Sequence, residues 1–198
     1  MLQSGMAIED RRRRERAARR GLITAAARDL AEREGWDAVT TRRLSTEIEY
    51  SQPVLYTHFG SMRDIVEAVA LEGFGELAEA LRAARRGSPT PADQLGRVAA
   101  AFNRFAGKNP ALYDAMFTRP APVHFAAEDT PASPVAAFAE VWAAVATVGA
   151  GRDVDTLTEV LWAALHGLVV LGRNHRLRPA HDAGRVEALV AQFRAAGS

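Results

Sequence analysis

The chain contains no cysteine among its 198 residues. This absence excludes disulfide cross-links, thiolate metal sites and cysteine nucleophiles, and it is typical of proteins from a reducing cytoplasm, where we place this one. No apolar run reaches the roughly 18–20 residues of a membrane-spanning helix. The arginine-rich N-terminus lacks the apolar segment of a signal peptide. We therefore expect no membrane partner.

Strand patterns are equally scarce. The sequence has no sustained alternation of apolar and polar residues and no Asn-Gly or Asp-Gly turn, whereas alanine, leucine, arginine and glutamate dominate. Because these residues favour helices, the chain is predicted to be all-α, with a three-helix helix-turn-helix domain followed by a helical bundle. The predicted domains are residues 11–65 and 66–198, and residues 1–10 are expected to be a disordered tag remnant.

Net charge is small, at +1, but it is unevenly distributed. Residues 11–20 read RRRRERAARR, with seven arginines opposed only by Glu15. A basic segment on an otherwise acidic chain predicts a local site for the phosphates of nucleic acid, with Arg12 and Arg13 among the contacts. The alternative is a solvated, disordered arm that contacts nothing.

The helices are predicted from apolar periodicity and from stop signals. The first runs from about Arg12 to Arg33, before Gly35, and is followed by helices near residues 41–48, 52–59 and 62–85. The loop composition of residues 87–91 marks a boundary. Further helices are predicted near residues 91–107, 110–118, 133–149, 153–175 and 182–196, with a proline-rich loop at residues 119–134.

The second and third helices have about two turns each and roughly three residues between them, which is the spacing of a helix-turn-helix. In that motif the N-terminal residues of the second helix meet base edges in the major groove, and here they are Ser51, Gln52, Pro53 and Val54. Gln52 can pair with adenine and Arg42 with guanine or phosphate. Further groups suited to phosphates are Thr41, Tyr56, Thr57 and His58. Leu55 and Phe59 are expected to lie in the core. For Tyr56, a position in the core is the alternative to contact with DNA.

Residues 40–69, TTRRLSTEIEYSQPVLYTHFGSMRDIVEAV, resemble the signature of the TetR family of bacterial transcriptional repressors. The resemblance implies a homodimer that binds a palindromic operator in double-stranded DNA and is released by a small molecule. It also implies which residues occupy the family's DNA-contact positions: Thr41, Arg42, Gln52, Pro53, Tyr56 and His58.

Three residues depart from the family pattern. Glu49 stands at a turn position usually held by glycine, where a left-handed backbone would cost about 1 kcal/mol. Tyr50 replaces a small apolar residue. Met62 stands where the family usually has a phosphate-contacting lysine, so we expect the adjacent Arg63 to make that contact.

The C-terminal half carries polar groups within apolar stretches, namely Asn103, His166 and Thr147, and such mixtures are typical of ligand cavities. Residues 161–172, LWAALHGLVVLG, resemble the W-x-x-x-H-G motif of one C-terminal class of the same family, with Trp162 and His166 one helical turn apart. The expected effector is planar or hydrophobic. Its predicted binding residues are Phe102, Phe105, Tyr113, Phe117, Phe138, Trp142, Trp162 and His166.

Two other classes of function remain open at this point. A helical enzyme could use His166 as a base, although no carboxylate or nucleophile at a fixed spacing supports it. A constitutive DNA-binding protein would lack an internal cavity.

The histidines at 124, 166, 175 and 181 show no metal-ligand spacing, so neither a metal nor another cofactor is expected. Dimer contacts are predicted along the last two helices, with Gly167 and Gly172 permitting close approach and with candidate interface or core residues Leu161, Leu165, Leu168, Leu189 and Phe193.

Overall fold

The structure, a computed structural model, describes residues 2–119, 130–149 and 151–195. Within these ranges the chain forms nine α-helices and two 3₁₀ turns, with no strand, so the all-α prediction is confirmed. The elements are α1 (Leu2–Glu34), a 3₁₀ turn (Trp36–Ala38), α2 (Thr41–Glu47), α3 (Gln52–His58), α4 (Met62–Arg86), α5 (Pro91–Lys108), α6 (Pro110–Phe117), α7 (Ala132–Ala146), α8 (Val154–Arg173), a second 3₁₀ turn (Pro179–His181) and α9 (Asp182–Ala195).

Most predicted helices match within a few residues, but the predicted start of the first helix was wrong. α1 begins at Leu2 rather than near Arg12, so residues 2–10 are helical instead of forming a disordered remnant. Extending an existing helix costs far less than nucleating one, and Arg13–Asp10 and Arg11–Glu15 ion pairs of 2.9 and 2.8 Å bridge successive turns. Most of the predicted loop at residues 119–134, including His124, lies outside the described residues.

The chain divides into two compact units, Met1–Leu71 with Pro110–Val123, and Glu72–Asn109 with His124–Ser198. The division falls inside α4, and α6 belongs with the N-terminal helices. The predicted functional domains at 11–65 and 66–198 remain a prediction, because compactness alone does not test which residues bind which partner.

The first unit is built on the inward face of α1. Ile23, Ala27 and Leu30 are fully buried, as is Leu44 of α2, and Leu55 of α3 is nearly so. α1 packs against both α2 and α3, and these two pack against each other. This shared core fixes the helix-turn-helix, because neither seven-residue helix is long enough to be stable alone.

The turn between α2 and α3 has the left-handed residue that the sequence predicted. Glu49 has a φ of 56°. The N–H of Tyr50 donates to the carbonyl of Ser45 at 3.0 Å, and the N–H of Glu49 donates to that of Thr46 at 3.4 Å. This is the Schellman pattern in which glycine is usual. The chain therefore keeps the turn at the cost of a strained glutamate.

Side-chain hydrogen bonds cap two of the helix N-termini. The side chain of Thr40 accepts a hydrogen bond from the N–H of Arg43 at 3.2 Å, and Ser61 accepts from the N–H of Asp64 at 3.2 Å. Ser51 occupies the cap position of α3, but its side chain makes no capping hydrogen bond. Pro53 lies in the first turn of α3, where its missing N–H leaves no partner unsatisfied.

The first turn of α6 is bonded to residues far away in the sequence. The Glu32 carboxylate on α1 accepts from the N–H groups of Ala111 and Leu112, both at 3.0 Å. The Trp36 indole donates to the Ala111 carbonyl at 2.7 Å. A carboxylate on exposed N–H groups at a helix N-terminus is favourable both as a hydrogen-bond acceptor and as a charge. These bonds explain why α6 belongs to the first unit.

The second unit is a bundle in which α5 packs against α7, α8 and α9. Its core includes Phe102, Val141, Leu161 and Leu165, all fully buried. Glu140 of α7 is almost fully buried as well, and it accepts hydrogen bonds from Arg82 at 2.8 Å and Arg85 at 2.7 Å, both on α4. This ion triad joins α4 to α7.

α8 is long and apolar enough, with a mean hydropathy of 1.5, to match a membrane-spanning helix by length and composition. The sequence analysis missed this because single charged residues interrupt its apolar runs. One such helix is weak support for a membrane, and α8 packs in the bundle against α5, α7 and α9. Of the residues predicted for a dimer interface or core, Leu161, Leu165 and Phe193 are buried within the unit, whereas Leu168 and Leu189 are half-buried.

Replacing Glu49 by glycine should stabilise the protein. Glycine adopts a positive φ without strain, so the Glu49→Gly variant should gain about 1 kcal/mol in free energy of unfolding. Glu47→Gly is a matched control, because Glu47 has helical geometry and glycine there should cost about 1 kcal/mol. Urea denaturation monitored by circular dichroism measures both. Equal destabilisation by the two substitutions would contradict the assigned backbone strain.

Removing the charge of Glu140 should destabilise the bundle in a pH-dependent way. Burial raises the pKa of Glu140, but hydrogen bonds from Arg85 and Arg82 outweigh it and hold the pKa below the ordinary value of 4.5. Because the folded pKa is lowered, this stabilisation is present above pH 4.5 and is lost as the pH falls through the folded pKa.

Glu140→Gln should therefore lower the free energy of unfolding by about 1–3 kcal/mol at pH 7, and the difference from the parent should shrink toward pH 3. Glu79→Gln is the control, since Glu79 also pairs with Arg82 but its side chain is 71% exposed. Its loss should cost less than about 1 kcal/mol. An equal effect of the two substitutions, or a pH-independent one, would count against the triad.

Candidate nucleic-acid interface and effector region

The exposed face of α3 carries most of the residues that the sequence assigned to DNA. Gln52, Pro53 and Thr57 are exposed, and Tyr56 is 53% exposed, which excludes the alternative that Tyr56 is a core residue. Ser51 precedes them and is also exposed. A polar face of this kind, with one aromatic ring, can contact base edges and phosphates.

The opposite face of α3 is bound to the core. Leu55 and Phe59 are buried, as predicted, and Val54 is half-buried. The Thr57 hydroxyl donates to the carbonyl of Val54 at 2.7 Å. This bond leaves the hydroxyl oxygen of Thr57 as an acceptor only, so contact with a phosphate requires the hydroxyl to rotate.

The C-terminal end of α3 is held by an arginine of α1 that the sequence analysis did not single out. The Arg20 guanidinium donates to the backbone carbonyl of His58. It also lies over the Phe59 ring, with its carbon 3.9 Å from the ring centroid. A cation at a helix C-terminus stabilises the last carbonyls and the helix dipole, and stacking on an aromatic face adds to this. Arg20 is therefore a positioning residue for α3.

His58 lies beside several arginines. It is half-buried, and its Nδ1 is buried without a hydrogen-bond partner among the described residues. Burial lowers the pKa of His58, and the charges of Arg19, Arg16 and Arg20 lower it further. The imidazole is therefore neutral at pH 7. It can donate a hydrogen bond to a phosphate but does not add a positive charge.

The remaining predicted DNA contacts are on the surface of the same unit. Arg12, Arg13, Arg42 and Arg63 are all exposed, and Thr41 is half-buried at the start of α2. Arg13 pairs with Asp10 on its own helix. Because exposed ion pairs contribute little, that arginine can exchange Asp10 for a phosphate.

The basic run at residues 11–20 is helical and exposed throughout. This finding excludes the alternative of a disordered arm in the described structure. Arg16, Arg19 and Arg20 are close enough to lower the pKa of His58 at the end of α3, so part of the run lies beside the C-terminal end of that helix. The missed signal was the spacing of these arginines, which recur every three or four residues along one helix face.

The eight predicted effector-binding residues are divided between the two units. Tyr113 and Phe117 belong to the first unit, where their ring centroids are 4.5 Å apart, and the other six belong to the second. Trp142 lies on the surface, 43% exposed, and its indole donates to Asp155 at 2.7 Å. The predicted effector-binding set therefore remains a prediction.

A smaller part of the set forms an aromatic cluster in the second unit. The Trp162 ring lies 5.4 Å from Phe102 and 5.7 Å from Phe138, measured between centroids. Phe102 is fully buried and Phe105 nearly so. His166 is half-buried, and burial lowers its pKa. Aromatic packing of this kind is typical of a core.

A groove of about 250 Å³ lies elsewhere in the second unit, between α5, α8 and α9. None of the eight predicted residues lines it. Sequence reasoning had noted Asn103 only as a polar group in an apolar stretch and had assigned Gly172 to a dimer interface. The groove is lined by Asn103, Gly107, Leu168, Val169, Gly172, Arg173 and Arg185.

Comparison with known proteins agrees with this geometry. Residues 23–69 match the family described as bacterial regulatory proteins of the tetR family, and residues 95–193 match the tetracyclin repressor-like C-terminal domain. An uncharacterized HTH-type transcriptional regulator of Mycobacterium tuberculosis is 29% identical over 170 residues, which cover 85% of this chain and 76% of that protein.

Two solved structures show the same fold. A protein of unknown function from Rhodococcus sp. RHA1 is similar with a TM-score of 0.70 and 24% identity, covering 90% of this chain and 94% of that one. A TetR protein of Acinetobacter baumannii in complex with minocycline has a TM-score of 0.61 and 23% identity, covering 90% and 97%. The chain belongs to the TetR family of DNA-binding transcriptional regulators.

Proposed function

We propose that the protein is a ligand-responsive repressor that binds a palindromic operator as a homodimer in the cytoplasm. The observation that carries this proposal is the exposed face of α3, with Gln52, Pro53 and Tyr56 pointing away from a core that holds the opposite face. This helix is too short to be stable alone, and Arg20 secures its C-terminal end.

In this proposal α3 enters the major groove. Gln52 pairs with a base edge, and Pro53 and Val54 contact a thymine methyl group. Arg42 at the start of α2 reaches guanine or a phosphate. Tyr56, Thr57 and His58 contact phosphates on one side, and the remaining proposed contacts to the backbone are Arg12, Arg13, Thr41, Ser51 and Arg63.

The charge of α1 supports sequence-independent affinity. Its exposed arginines beside α3 can neutralise phosphates and release counterions. Because His58 is neutral at pH 7, the positive charge beside α3 comes from the arginines. Base contacts from α3 then add specificity to a binding energy that α1 supplies on any sequence.

Dimer formation is supported by an apolar stripe that the second unit leaves exposed. Val160 is 52% exposed and Leu171 39%, and Gly167 lies between them on the same face of α8. A side chain at Gly167 would meet nothing within 4 Å in one copy of the chain. Exposed apolar residues in a row are typical of an interface. Two copies paired through this stripe would place two recognition helices on a palindrome.

Two observations support the release of DNA by a small molecule. The second unit is a helical bundle, and a structural neighbour was solved with minocycline bound. The recognition helices of the two copies can have different spacings in different conformations of the dimer. A ligand that binds one of these conformations more tightly shifts the protein toward that conformation. An enzymatic role for His166 has less support, because the chain belongs to a family of transcriptional regulators.

Selection from random DNA tests the proposed function. The purified protein should enrich an inverted repeat, and Gln52→Ala should relax the preference at one position of each half-site because it removes a base contact worth about 1–3 kcal/mol. Gln94→Ala, in the other unit, is the control and should leave the enriched sequence unchanged. Failure to enrich any sequence would refute operator binding. Equal weakening on operator and random DNA would show that Gln52 contacts only the backbone.

Sedimentation tests the dimer. The protein should be a dimer at micromolar concentration, and Val160→Glu should produce monomers because a charge in the apolar stripe is left unpaired on association. Glu159→Gln, at the neighbouring exposed position, should leave the dimer intact. Since Val160 is exposed in one copy, both variants should retain the parent's helical content. A parent protein that sediments as a monomer, or a dimeric Val160→Glu variant, would contradict the proposed interface.

A further inference from the structure

We propose that the groove between α5, α8 and α9 binds a small carboxylate with an apolar body, and that this anion is the effector. The inference rests on the proposed function, because it gives the ligand-responsive unit a site and a class of ligand. It narrows the planar or hydrophobic effector that the aromatic residues had predicted to one that carries a carboxylate. The reasons are the helix register, the charge and the free space of the groove.

Residues one helical turn apart on α5 and on α8 form two walls of the groove. On α5, Asn103 and Gly107 are four residues apart and thus one turn from each other on the same face. On α8, Leu168 and Gly172 are related in the same way, as are Val169 and Arg173. The three helices that contribute residues pack against one another. The groove is therefore part of the framework of the bundle rather than a gap between loops.

The polar groups of the groove all favour an anion. Arg173 and Arg185 bring two positive charges to the groove. Guanidinium groups bind carboxylates through paired, charge-assisted hydrogen bonds. Arg185 also donates to the backbone carbonyl of Arg178, which fixes its position.

Asn103 supplies the neutral polar group. It is half-buried, and its side chain makes no hydrogen bond in the described part of the chain. An amide in an apolar stretch of a helix costs free energy unless it finds a partner. A carboxylate oxygen would accept from this amide while Leu168 and Val169 contact the apolar body of the ligand.

Two glycines provide the space. A Cβ atom built at Gly107 or at Gly172 would meet nothing within 4 Å, so the wall is open at both positions. The volume of about 250 Å³ is below the range of roughly 300–1,000 Å³ that holds drug-sized ligands. The ligand is therefore expected to be small, with one ring or a short chain.

Calorimetry on the full-length protein tests this site with four probes: benzoate, hexanoate and their neutral counterparts benzamide and hexanamide. At least one carboxylate should bind at least about tenfold more tightly than its amide, since the amide cannot pair with guanidinium groups as an anion does. Equal binding of each acid and its amide, or no binding of either acid, would overturn the proposal.

Matched variants locate the binding. Arg173→Gln should weaken carboxylate binding about tenfold or more, whereas Arg176→Gln removes an exposed charge close by that does not line the groove and should change it less than about twofold. Gly172→Leu should abolish binding by filling the groove. Leucine favours a helix more than glycine does, so this variant should remain folded by circular dichroism. Equal effects of the two arginine variants, or undiminished binding to Gly172→Leu, would overturn the assigned site.

DNA release separates this inference from the proposed function. If the carboxylate binds as expected but does not release operator DNA, the site is upheld and ligand-responsive repression through it fails. If a different molecule releases DNA equally from the parent and from Gly172→Leu, repression by release is upheld and the assignment of the effector to this groove fails. If Gly172→Leu neither binds the carboxylate nor releases operator DNA in its presence, and its affinity for the operator is unchanged, the result would support both the assigned groove and ligand-responsive repression.

Discussion

A helix of seven residues such as α3 cannot be stable in water by itself, and this constraint governs the first unit. α3 buries Leu55 and Phe59 against α1 and α2, while its polar face stays free. Its C-terminal carbonyl and the ring of Phe59 are both bound by Arg20. The same helix α1 therefore supplies the apolar support, the terminal clamp and much of the positive charge. A change on α1 that leaves α3 untouched can still alter how DNA is read.

Much of this unit could be predicted from the sequence, because its signals are local. Apolar spacing predicted the helices, and the family resemblance placed a left-handed backbone at Glu49, whose φ is 56°. The start of α1 was missed because charged residues such as Arg11 and Glu15 read as a solvated arm, although they pair along one helix. Arg20 was missed because its partners lie 38 residues further along the chain.

The interior of the second unit could be predicted less well from the sequence, for a physical reason. Periodicity identifies the residues that face inward, but it does not distinguish a filled interior from an open one. Trp162 packs edge-to-face on Phe102 and at a tilt against Phe138, and Trp142 faces outward. The groove instead uses glycines and the ends of helices, whose importance depends on packing among α5, α8 and α9. The ion pairs of Glu140 could not be predicted from local sequence either, because Arg82 and Arg85 lie more than 50 residues away in the sequence.

The bonds between Glu32 and the N-terminus of α6 have a consequence for how such regulators can be recombined. The DNA-binding unit is not a contiguous stretch of chain, because a carboxylate on α1 satisfies backbone N–H groups about 80 residues later. A hybrid regulator joined within α4 that receives a foreign helix-turn-helix keeps this α6 but loses Glu32 and Trp36. The N–H groups of Ala111 and Leu112 and the carbonyl of Ala111 then lack their partners unless the incoming residues supply them. Exchange of operator specificity between relatives therefore requires transplanting residues 110–119 together with the helix-turn-helix, or choosing relatives that keep an acceptor at position 32.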